Sequence, residues 1–284
     1  MVSSSIIISW YTILISIITF PIMIAVLMKI KAKAKISPFL LGLLVYFTFG
    51  VFATSVVNTI FLNSNRPTYN LLNNNVVAYT LYFAVVVGFL EVLGIFVAFK
   101  KILVNHDEKH TALMFALGHA GMEAFMACFL ALATYISWAN VLNERGPEGF
   151  AEFFGDIENF DPQEAIDTIT SVSVSDVVLL ALQRIAYFGM NIFLSIMIFY
   201  AAKKDIKPFF WVAVLFRGLC TVPGSVERFV SSNGTTGKYL VLFIYLIIVL
   251  AALGYCAMKL YKKYDDRQVL YPLDLFKKHP DPHF

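Results

Sequence analysis

Residues 111–142 read TALMFALGHAGMEAFMACFLALATYISWANVL, and His119 and Glu123 hold the only imidazole and the only carboxylate of that run. Apart from these two groups the run is apolar, and it exceeds the roughly 18 residues needed to cross a bilayer. Similar stretches recur along the chain, so the reading of this one decides the fold. The 284 residues are 59% hydrophobic and 14% charged, with a mean hydropathy of +0.73. So little charge cannot cover the surface of a soluble domain of this length. The sequence therefore predicts an all-α fold, a polytopic transmembrane helix bundle in the cell membrane. Seven spans are expected, at about 5–28, 38–62, 76–100, 111–142, 175–202, 208–230 and 239–260. The first lacks a basic start and is as long as a full span, so it is expected to be a span rather than a cleaved leader.

Basic residues orient the bundle. Lys29, Lys31, Lys33 and Lys35 fall in the first connection, Lys100, Lys101 and Lys109 in the third, and Lys203, Lys204 and Lys207 in the fifth. The tail adds Lys259, Lys262, Lys263, Arg267, Lys277 and Lys278, whereas the opposite connections hold Arg66, Arg145 and Lys238. Positive residues stay in the cytoplasm, which places the N-terminus outside and the C-terminus inside. Residues 1–264 then form one transmembrane domain with an acidic outside loop at about 143–174, and residues 265–284 a cytoplasmic tail. Within that loop FAEFFGDIENF (150–160) interleaves aromatics with acids. It reads as a solvated loop dipping into the interface or a short helix lying on the membrane.

Other signals carry less. A net charge of +3 implies no nucleic-acid partner. Cys128, Cys220 and Cys256 all fall inside spans and read as small packing residues. Asn233 starts a glycosylation sequon that is too short to weigh. His106, His110, His279 and His283 receive no role. Pro21 and Pro223 are the candidate kinks, the latter, beside Gly224, reading equally as a loose helix end.

Depth counting gathers the polar residues. At about 1.5 Å per residue, His119 and Glu123 lie roughly 12 and 18 Å from the cytoplasmic end of their span. Glu91 lies roughly 13 Å in, Asn191 roughly 15 Å and Arg217 roughly 13 Å. Four helices thus bring polar groups to one layer, where each charge costs roughly 2.5–3.5 kcal/mol on insertion scales. His119 and Glu123 are four residues apart and share a helix face. Gly118, Gly121, Ala116, Ala120, Ala124 and Ala127 allow close packing around them. Three chemistries fit. Glu123 or Glu91 can act as a general base for water. His119 with the two glutamates can hold a metal. Alternatively Arg217 neutralises a carboxylate in a closed structural ion pair.

The stretch GHAGMEAF (118–125) resembles the Gly-His-Gly-Gly-x-Glu-Ala signature of the YhfC family of bacterial intramembrane peptidases. That family is grouped with the type II CAAX-prenyl endopeptidase-like proteins and the gamma-secretase scaffold subunit. The similarity runs over most of the chain and includes NNNVVAYTLYFAVVVGFLEVLGIF (73–96). It implies an intramembrane endopeptidase acting on a membrane-embedded or membrane-adjacent peptide or protein. Glu123 would be the general base, Glu91 its partner, His119 an orienting group, and Asn191 and Arg217 oxyanion donors. The departures are specific. Val92 and Ile95 stand where the family has glutamate and arginine, Gln183 replaces a glutamate, and Arg184 and Ser195 are kept. Asn191 and Arg217 each stand where a histidine is expected. With those histidines gone and a cation gained, a metal mechanism and any cofactor are not expected. The alternative implied by the resemblance is an inactive member that binds a peptide, lipid or partner helix.

Overall fold

The computed structural model describes residues 1–106, 109–155, 157, 160–227 and 236–264. The sequon at Asn233, the tail from 265 onward, and with it His279 and His283, lie outside the described residues. Among the described residues the regular structure is helical and includes no strand. Among the described residues seven helical spans are long and apolar enough to cross a membrane: Ser4–Lys31, Ser37–Phe61, Val76–Ile102, His110–Phe154, Val174–Lys203, Lys207–Val226 and Leu240–Lys263. Each overlaps its expected counterpart.

Local chemistry sets several of the helix starts. The Asn75 side chain accepts from the amides of Val77 and Ala78, both at 3.0 Å, at the start of α5 (Val76–Val97). The Ser173–Asp176 capping box opens α8 (Val174–Lys203). Each cap satisfies amides that have no partner within the helix.

The second span is not uniform. It begins as α2 (Ser37–Val45), winds wider as a π-helical segment over Tyr46–Ala53, and ends as α3 (Thr54–Phe61). A π segment shifts the helix face within one span, a distortion often found at functional sites. Here it begins at Tyr46, a residue of the central site.

Following the short α4 (Pro67–Asn74) and α5, the chain continues into α6 (Lys109–Phe154). Pro21 lies inside α1 (Ser4–Lys31), which continues through it. In α6 the continuity fails at Gly146, whose φ of 70° precedes Pro147. The residues after this break were expected as an interfacial helix or a solvated loop. Up to Phe154 they are helical, with Phe153 exposed and part of the segment packed on the bundle end. Phe150 is fully buried with Leu142, and Ala165 and Ile169 of α7 (Pro162–Thr170) join the same cluster. The N-terminus is fastened to the same end, where Val2 and Asn143 exchange two hydrogen bonds of 2.8 Å.

α8 occupies the centre, and its residues from Leu194 to Ala202 are all buried. It packs against α6, against α9 (Lys207–Glu227) and against α10 (Thr236–Tyr264). Pro223 lies within α9, so the loose end considered there is helical. At the opposite end Lys100 meets Asp205 at 2.5 Å, and this hydrogen bond holds the aspartate carboxyl below its usual range. All three cysteines are free.

The α2–α6 contact explains the glycines beside the polar pair. A β-carbon on Gly118 would stand 1.9 Å from the Phe39 carbonyl oxygen, and one on Gly42 would stand 2.2 Å from that of Phe115. The backbones touch there, as small residues permit between membrane helices. Gly118→Val is expected to force α2 and α6 apart and cost at least about 1–3 kcal/mol. A lowered thermal midpoint in detergent checks it.

Candidate functional site

Five predicted polar residues meet where α5, α6, α8 and α9 converge. One terminal nitrogen of Arg217, Nη2, donates to Glu91 Oε1 and to Glu123 Oε1, each at 2.8 Å. It lies 2.8 Å from Glu91 Oε2 as well. The second oxygen of Glu123 accepts a short hydrogen bond from Asn191 Nδ2. That amide also donates to the Tyr187 carbonyl at 3.0 Å. A side-chain amide has two N–H donors, so both of Asn191's are committed within the protein.

His119 stands slightly apart. Its Nε2 is 4.0 Å from Glu91 Oε2, and among the described residues neither ring nitrogen has a hydrogen-bond partner. The ring is held by aromatic contacts instead. Tyr46 meets it edge-on at 5.2 Å, and Phe115 stacks at 6.0 Å. His119, Glu91, Asn191 and Arg217 are all buried. The Glu123 side chain keeps 12% of its surface exposed.

That exposure opens onto a cleft of about 400 Å³. Glu123, Arg217 and Tyr46 stand at its floor. Tyr79 and Phe83 of α5, Tyr187 and Arg184 of α8, and Thr221 and Ser225 of α9 form its walls. The walls lie toward the starts of α5 and α8 and the end of α9, that is, toward the end of the bundle holding the N-terminus. Of the five predicted site residues only Glu123 and Arg217 border the cleft; Glu91, His119 and Asn191 lie behind them. Ser195, one turn beyond Asn191 on α8, is fully buried and does not border it.

Tyr46 and Tyr187 were not anticipated. Nothing in the local sequence separates Tyr46 from the lipid-facing aromatics around it, and only the π segment and the packing of α2 on α6 turn it inward. Arg184 was legible as a cation within a span.

Comparisons with known proteins place the chain in a family. A profile of the YhfC intramembrane metalloprotease family matches residues 15–246. The chain belongs to that family. Membrane protein YhfC of Bacillus subtilis (strain 168) is 24% identical over 207 residues, covering 72% of this chain and 78% of the relative. No solved structure matches.

The family's description implies a metal, and the residues of this chain do not fit one. A metal held jointly by Glu91 and Glu123 would need the place that the Arg217 guanidinium fills, and two cations cannot share it. Among the described residues no group of three histidine, cysteine or acidic side chains is placed to ligate an ion.

The bridge also bears on folding. In Arg217→Gln two carboxylates remain buried together without a counter-ion, a change that costs about 3–5 kcal/mol. The expected result is a large drop in thermal midpoint, partly restored by adding Glu91→Gln. Thermal unfolding of both variants in detergent measures it.

Proposed function

We propose that this chain is a non-hydrolytic member of its family. It binds a membrane-embedded or membrane-adjacent peptide in the cleft above Glu123. The observation that carries this reading is the single Arg217 nitrogen 2.8 Å from both Glu91 and Glu123. A carboxylate oxygen already accepting from a guanidinium has less lone-pair capacity to offer a water. Asn191, the other expected oxyanion donor, spends both amide hydrogens on Glu123 and Tyr187. Family membership supports a peptide as the ligand, since the family is described as intramembrane proteases. The mixed lining supports it too: aromatic rings for apolar side chains, and Thr221, Ser225 and Arg184 for a polar backbone or terminus.

A second reading retains hydrolysis by a water that Glu123 activates. The exposed edge of Glu123 at the cleft floor favours it, because a water and a peptide carbonyl could approach there. Arg217, which borders the cleft, would then serve as the oxyanion donor.

One assay separates the two. Full-length protein in nanodiscs is incubated with a photoreactive apolar peptide, and both labelling and cleavage are followed. The binding reading expects labelling of cleft residues on α5, α8 or α9, with the peptide left intact. Cleavage by the wild type, lost in Glu123→Gln and unaffected by chelators, would overturn it in favour of the second reading.

A further inference from the structure

The cleft contains a second arginine that the acid cluster does not use. Arg184 lines the wall, and its Nε is buried without a hydrogen-bond partner. Among the described residues it makes no ion pair. Its guanidinium lies over the Tyr187 ring, 5.3 Å from the centroid. Tyr187 is itself anchored through a hydrogen bond from its hydroxyl to the Cys220 carbonyl at 3.1 Å.

An intramembrane arginine is costly unless it pairs or reaches the interface. Arg184 is ten residues past Val174, about 15 Å along α8 by helical rise. Instead of snorkelling outward along the helix, it folds across an aromatic ring beside an open cavity. Both carboxylates of the layer below already share Arg217. The cation thus faces a cleft whose own acid is spoken for, and the missing partner is an anion that arrives with the ligand.

The geometry points to Arg184 as the receptor for a carboxylate of the bound peptide, its C-terminal carboxylate. This rests on the peptide-binding reading above. A guanidinium and a carboxylate match as a two-bond fork, so one arginine suffices. Arg184 is seven residues from Asn191 on α8, so it lies on the same face and about 10 Å nearer the N-terminal end of the bundle. A peptide anchored there by its terminus would place the preceding residues against Tyr46 and Phe83, with its chain directed toward Glu123.

The test uses full-length protein in nanodiscs and a dansylated apolar tetrapeptide in two forms, the free acid and the C-terminal amide. The expected result is at least about tenfold tighter binding of the acid, a margin typical of one charge-assisted pair. Arg184→Gln should erase that difference and Arg184→Lys should keep part of it, the acid-to-amide ratio being read within each variant. Equal binding of acid and amide by the wild type would overturn the assignment and leave peptide binding intact. Binding of neither would overturn both. Arg184-dependent binding of lysophosphatidate without binding of the peptide acid would replace the carboxylate by a lipid phosphate and end the proposal. The acid-to-amide comparison on the wild type stands even if Arg184→Gln does not fold.

Discussion

One guanidinium in a low-dielectric layer organises this molecule. Arg217 brings two carboxyl groups from different helices to a single nitrogen, and those carboxyl groups in turn hold α5 and α6 against α9. Glu123 then draws in α8 through Asn191. Without a counter-charge, two buried acids would repel each other and would each lose water, so this convergence of helices needs the cation. The same arrangement determines what the site can do. The arginine fills the space that a metal held jointly by Glu91 and Glu123 would need; its charge is fixed by covalent attachment and it brings no activated water.

The surrounding packing protects that charge cluster on one side only. Phe115 and Tyr46 enclose His119, and the close α2–α6 contact at Gly42 and Gly118 seals the region behind it. On the other side the aromatic and hydroxyl-bearing walls leave Glu123 partly open. A closed structural ion pair would have no need of that opening. The acid cluster locked by Arg217 thus lies beneath a cleft whose second arginine, Arg184, makes no ion pair among the described residues, and the proposed binding reading rests on that combination.

Much of this was legible in the sequence. Seven apolar runs specify seven spans because a bilayer sets the length of a helix that crosses it. The shared depth of Glu91, His119, Glu123, Asn191 and Arg217 followed from helical rise alone. Sequence order could not tell which of three chemistries the layer adopts. A closed ion pair, a metal site and a general base all use the same residue types, and the distinction lies in which atoms touch. The π-helical turn at Tyr46 was also invisible, because no local sequence signal marks it and the packing of α2 against α6 accompanies it. Within 150–160 the alternation of aromatics and acids did not tell which ring turns inward: after the break at Gly146 and Pro147, Phe150 is buried with Ala165 and Ile169, whereas Phe153 stays exposed.

Arg217 takes the space that a metal held between Glu91 and Glu123 would need. The direct measurement is the elemental content of full-length protein purified without chelators, read by mass spectrometry for divalent transition metals. A trace far below one ion per chain is expected. One tightly held ion per chain, lost together with the Glu91 and Glu123 carboxylates when both are changed to glutamine, would contradict it.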